Sequence, residues 1–179
     1  MVVEINYEKN KNIMAVSLAS TLLESKERPI FLCVGTDKIV GDSVGVLIGE
    51  LLTKKYKINA HVYGTLDANV DAQNINQIID DIKLKHPSSP IILVDGILGD
   101  FDSVGQIKFY KNGAYAGGQY GKGVFVGDYS ILPVVGVKGI DSLNFINSVK
   151  LKNVVEQAEF VADSISRAFK YSQHLLCVW

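Results

Sequence analysis

Histidine, cysteine and proline are scarce in this chain: three, two and four among 179 residues. His61, His86 and His174 fall at a strand start, a loop and the C-terminal tail, which leaves no Ser-His-Asp or Cys-His set to read. Cys33 and Cys177 offer neither zinc spacing nor a disulfide framework, and their use fits a reducing compartment. Charge of one sign is lacking too. The formal net charge is −1, with no basic patch, so nothing points to nucleic acid. No apolar run reaches membrane-spanning length, and the stretch before Ile30 carries charges where a signal peptide needs an apolar core. A cytoplasmic protein without a membrane partner is the expectation. The dinucleotide Gly-x-Gly-x-x-Gly, the Walker Gly-Lys-Ser/Thr and the Gly-x-Ser-x-Gly elbow are all missing.

What is present is an alternation of apolar strands and amphipathic helices. Hydrophobic residues make up 47% and charged residues 21%. Those proportions are ordinary for one globular domain that buries a full core. The spacing predicts a leading helix over 8–25, ended at Arg28-Pro29, and strands at Ile30–Val34, Ala60–Tyr63 and Ile91–Val94. Helices are expected from Asp42 or Ser43 onward, with Val44, Leu47, Ile48, Leu51 and Leu52 inside, and over 70–85, with Val70, Ile75, Ile78, Ile79 and Ile82 inside. The basic cluster Lys54, Lys55, Lys57 suits the end of the first of these. His86 to Pro90 is a stop.

Beyond it, Gln106–Tyr110 and Ile131–Val137 read as strands, and Asn112-Gly113 carries a hairpin signal. The glycines between 113 and 123 read as a mobile surface loop. Helices are predicted near 140–149 and over 151–171, the latter with Val154, Val155, Ala158, Val161, Ile165 and Phe169 inside. The apolar tail from Leu175 to Trp179 is expected to pack on the domain; a homo-oligomer contact is the other use for it. The order implies an α/β fold, a three-layer α/β/α sandwich with a mostly parallel central sheet. One domain spans 1–179, with a helical N-terminal extension over 1–28 and the core over 30–172.

Two carboxylates stand where strands end. Asp42 follows the first strand at a helix start, and Asp95 closes Ile91-Ile92-Leu93-Val94-Asp95. Strand C-termini form the ligand crevice of parallel α/β sheets, so the two acids are expected to meet there. A helix N-terminus should keep Asp42 ionised, while an apolar strand end should push the pKa of Asp95 upward. An ionised acid beside a protonated one is a pattern for activating water. The plain alternative is that Asp42 is a helix cap and Asp95 a structural hydrogen-bonding acid. Thr36, Asp37, Thr65 and Asp67 follow strands and are expected on the substrate side, although turn capping accounts for the threonines equally well. Asp128 joins them as a further substrate-side acid. Asp100 and Asp102 form an isolated Asp-x-Asp, better read as a solvated loop than as a cation grip.

The segments Cys33 to Gly45 (Cys-Val-Gly-Thr-Asp-Lys-Ile-Val-Gly-Asp-Ser-Val-Gly), His61 to Asp67 and Ile92 to Gly99 together resemble the YyaC-type family of sporulation proteases. Ser103 to Gly105 and Val126 to Asp128 add to the match, which runs over roughly 30–170. That family is similar to the spore germination protease and, more distantly, to the hydrogenase maturation endopeptidases, which share a three-layer α/β/α fold. The resemblance implies an endopeptidase of a protein or peptide substrate, with Asp42-Ser43-Val44-Gly45 and Val94-Asp95-Gly96 holding the two active-site acids. No cofactor is implied, though a divalent metal at Asp42 and Asp95 stays open. The maturation enzymes add a histidine after the second acid, whereas here none lies between His86 and His174, and Ser130 stands in that neighbourhood. The loop over 113–123 and Gly96 also depart from the relatives. Two alternatives to the peptidase follow: a catalytically inactive binding protein on the same scaffold, and a metal-assisted hydrolase.

Overall fold

A computed structural model describes residues 2–6, 11–24, 27–117, 123–139 and 149–176. Its centre is built from strands that the sequence makes apolar on both faces. Ile30–Val34 (β2) is buried at all five positions, and Ile91–Asp95 (β4) at its last four. Such runs suit parallel strands covered on both sides. The sheet also contains Val2–Asn6 (β1), His61–Tyr63 (β3), Ile97–Gly99 (β5), Gln106–Tyr110 (β6) and Tyr129–Val137 (β9). Its order is β1-β6-β9-β4-β2-β3, with β5 also paired to β9. β2, β3, β4, β5 and β9 are mutually parallel, whereas β6 runs antiparallel to both β9 and β1. The fold is α/β with a mostly parallel sheet flanked by helices.

Alternation along the strands divides the core between two faces. Phe31, Cys33, Ile92, Val94, Ile131 and Val135 pack beneath Lys11–Glu24 (α1), Val44–Glu50 (α2) and Leu151–Leu176 (α4). Ile30, Leu32, Val34, Leu93 and Leu132 face Ile75–Lys85 (α3) and a separate ribbon, Ala114–Ala116 (β7) paired with Val124–Val126 (β8). α3 buries Ile75, Ile79 and Ile82, one stripe of an otherwise polar helix. α4 buries Val154, Ala158, Val161 and Ile165 in the same manner.

Several expectations need correction. Residues 2–6 form an edge strand rather than part of a helical extension, and α1 sends Met14, Leu18 and Ala19 into the main core. α3 begins at Ile75, not 70, because Asp71 and Asn74 close a turn first: the Asp71 amide donates to Asn74 Oδ1, and the Gln73 amide to Asp71 Oδ1. Val70 instead bridges to Val34. Asn112-Gly113 joins no hairpin of its flanking strands, since β7 pairs with β8 and β6 with β9. Part of the glycine-rich stretch is therefore ordered ribbon. Val155 is 38% exposed rather than inside. Residues 140–148 of the helix expected over 140–149 and the tail beyond residue 176 lie outside the described residues, as do 118–122 of the loop.

Candidate functional site: an acid pair where the sheet reverses direction

From β2 the chain passes through α2 to β3 on one side, then returns through α3 to β4 on the other side of β2. Successive crossovers diverge there, so the C-terminal ends of β2 and β4 border the crevice where such sheets take ligands. Val34 and Asp95 are register partners at that rim.

The segment after β2 folds back over the strand end. The Gly35 amide donates to Val70 O (2.8 Å) and the Thr36 amide to Asp42 O (3.1 Å). Gly35 has φ +145°, and a Cβ there would collide with the Asp42 carbonyl. Only glycine lets the loop close. A 3-10 turn over Val40–Asp42 then delivers Asp42, held by Ser43 Oγ donating to Val40 O (2.7 Å). On the neighbouring strand Gly96 has the same necessity. An added Cβ would stand 2.7 Å from Val44 Cγ1 and 3.3 Å from Gly41 O, which brings the residues flanking Asp42 against the one following Asp95.

Asp95 is 7% exposed. Its carboxylate accepts the Gly117 amide (3.3 Å) and the Gly96 amide. Burial and the nearby Asp42 charge outweigh both and push its pKa up to about 8. Asp42 is half-buried, and its pKa is also raised, first by desolvation and then by Asp71. This corrects the expected contrast between the two acids. Asp42 lies in the turn before α2, Ser43 is the N-cap residue, and no side chain caps that seven-residue helix. Burial therefore outweighs any pull of the helix end on Asp42, and with no side-chain cap bond at α2 the simple capping role fails.

The remaining candidates scatter. Thr36 is buried at the rim with its Oγ1 accepting the Lys38 amide (3.3 Å). Asp37 accepts Asn69 Nδ2 (2.8 Å), tying the two rim loops together. Thr65 closes a reciprocal backbone turn with Ala68, and Asp67 pairs with Lys54 (2.9 Å) beyond the edge strand β3, separated from β4 by β2 and β3. Asp128 lies at the opposite end of β4: its Oδ2 accepts the Ile91 amide (2.8 Å), and its own amide donates to Ile91 O (2.7 Å). It fastens the strand start and stands apart from the crevice. Pattern reading missed Asp71 and Gly117. The Asn-Val-Asp-Ala-Gln-Asn run at 69–74 held the signal for Asp71, because such residues favour side-chain-bonded turns over helix interiors.

Two open hollows lie elsewhere, against Ile91, Gly127 and Asp128 in one case and Pro87–Pro90 with Tyr129 in the other. Among the described residues no group of three or more His, Cys, Asp and Glu could hold a metal ion. None of the helices described is long and apolar enough to cross a membrane.

A family model described as "Protein of unknown function (DUF1256)" matches residues 2–164. The chain is also similar to "Uncharacterized protein YyaC" of Bacillus subtilis (strain 168), with 34% identity over 151 residues, covering 83% of this chain and 74% of that one. A match across nearly the whole fold, both acids included, places this chain in the DUF1256 family.

Proposed function

We propose that the protein is an endopeptidase in which Asp42 and Asp95 activate water against a peptide carbonyl. One observation carries the reading: the carboxylate that ends β4 interacts with the one delivered by the turn before α2, at the crevice where the sheet reverses, and the buried Asp95 is pushed up to about 8. Near neutral pH Asp95 then holds a proton, and Asp42, the less buried of the two, is assigned the part of the base. Asp42 takes a proton from water as the oxygen attacks, and Asp95 gives its proton to the carbonyl oxygen. When the tetrahedral species collapses, the amine leaves with the proton that Asp42 had taken, and a hydroxyl on the former carbonyl carbon returns its proton to Asp95 as the carboxyl product forms. The motif resemblance to sporulation peptidases supports the same assignment and points to a protein substrate in that setting.

The 7% exposure of Asp95 and the position of the open hollows favour a second reading, a binding protein that keeps the scaffold without the reaction. Incubation with small acid-soluble spore proteins, beside Asp42→Asn and Asp95→Asn variants, separates the two. The peptidase reading expects cleavage by the wild type and a loss of about 10²–10⁴-fold in each variant. Equal cleavage by all three proteins overturns the mechanism, and an intact substrate throughout leaves the binding reading.

A further inference from the structure

The β7–β8 ribbon covers part of the α3 face, yet among the described residues it pairs only with itself. An edge strand presents a row of unpaired N–H and C=O groups that can template another chain. Edges of this kind are commonly blunted by lysine, proline or a covering element. Val124-Phe125-Val126 carries neither of those residues and is bounded by Gly123 and Gly127. Beside it runs α3, and between the two lies an open groove of about 310 Å³. Asn76, Asp80 and Lys83 follow one helical stripe along its wall, and Ile79 and Ile91 line it with apolar surface. Phe125, 52% exposed, meets Tyr115 edge-on at 5.3 Å and extends the apolar surface outward.

Charge distinguishes among occupants. Asp80 and Asp128 face the groove against a single ammonium, Lys83, so it carries net negative charge. Asp128 is fixed there by the Ile91 amide. We propose that this groove binds an extended peptide segment as an added strand on β8, with an apolar side chain against Ile79 and Ile91 and a basic one at Asp80 and Asp128. Strand addition beside a helix draws affinity from main-chain hydrogen bonds and selectivity from the pocket for alternate side chains. The ribbon also links the groove to the acids: the turn after β8 meets Ile91, and Gly117 at the end of β7 meets Asp95. β4 spans that distance in four residue steps, about 13 Å, so a short peptide reaches from the groove to the crevice. What happens at that end rests on the peptidase reading; the binding does not.

Fluorescence anisotropy of a fluorescein-labelled Lys-Thr-Leu-Thr-Lys-Thr peptide tests the proposal, measured with the wild-type chain and with Asp95→Asn. The expected result is saturable binding to both, with a dissociation constant on the order of tens of micromolar. N-methylation of alternate peptide amides should weaken it about tenfold, as should Asn76→Trp, which fills the groove from an exposed helix position. Asp80→Lys should weaken it about threefold, and less so at high salt. Circular dichroism checks that both variants fold. No saturation up to about 1 mM, equal affinity for the N-methylated peptide, or indifference to Asn76→Trp overturns the inference. Peptide bound but never cleaved by the wild type counts against the peptidase reading alone, whereas cleavage of spore proteins unaffected by Asn76→Trp counts against the groove alone.

Discussion

At the residue scale the distinctive fact is a carboxylate at the end of an apolar strand. Asp95 has a folded-state pKa of about 8, far above that of an unfolded aspartate. Between about pH 4 and 8 the native state therefore binds the extra proton. Its contribution to stability is full at the low end of that window and is lost as pH rises through about 8. Asp95→Asn keeps an acceptor for the Gly117 amide and removes the charge. We expect it to raise the thermal midpoint at about pH 8 more than at about pH 5, by a free energy on the order of a few kcal/mol. Calorimetry at the two pH values checks this, and a purely structural acid predicts a loss instead. Asp71 makes a second test. It raises the pKa of Asp42, so Asp71→Asn should move the acid limb of the activity profile to lower pH and leave the alkaline limb, set by Asp95, near its value of about 8. A pH–rate profile of the two proteins decides it.

At the element scale the site depends on close packing between the turn before α2 and the end of β4. Gly96 interrupts the β4–β5 course along β9, where the flanking partners Val94↔Ile131 and Ile97↔Val134 place Pro133 opposite it. Proline brings no N–H to a ladder, so the strand opens beside Asp95. Gly96→Ala would press its Cβ into Val44 and force Asp42 and Asp95 apart. We expect a destabilisation of about 1–3 kcal/mol in urea melts, with activity falling further than stability explains. Asp128→Ala is the contrasting case. It releases the Ile91 amide at the far end of β4. The loss costs about 1 kcal/mol and leaves the pH profile unchanged. The elements themselves were largely legible: Ile30–Val34 is recovered to the residue, and the closing helix runs to Leu176 rather than 171. β1 was not, because five residues at an edge show little periodicity. They owe their pairing to β6, far along the chain.

At the scale of the whole molecule, the two helical faces enclose the strands that carry the site. Phe31 is fully buried and tilts against Phe169 at 6.3 Å, joining β2 to α4. Phe31→Ala should therefore cost about 3–5 kcal/mol in denaturant unfolding and loosen the crevice with it. Cys33 lies on the same face, fully buried, with its thiol pKa raised by desolvation. A thiol reagent such as dithionitrobenzoate should label it only as fast as the native protein opens.

Sequence alone determined the class of fold and the central strands, and it singled out as candidates the two acids that folding brings into each other's field, since apolar periodicity and local punctuation survive without neighbours. Of the two helix starts it offered, Asp42 or Ser43, folding makes Ser43 the N-cap, and it carries Asp128, grouped in sequence with the rim residues, to the opposite end of β4. Only the tertiary structure decided which loops share the crevice, because strand order, the side of β2 on which β4 lands and the placement of Gly117 over Asp95 arise from contacts between distant segments. The ionisation of the pair belongs to that level too: desolvation and the mutual field of Asp42, Asp71 and Asp95 exist only once the chain has closed around them.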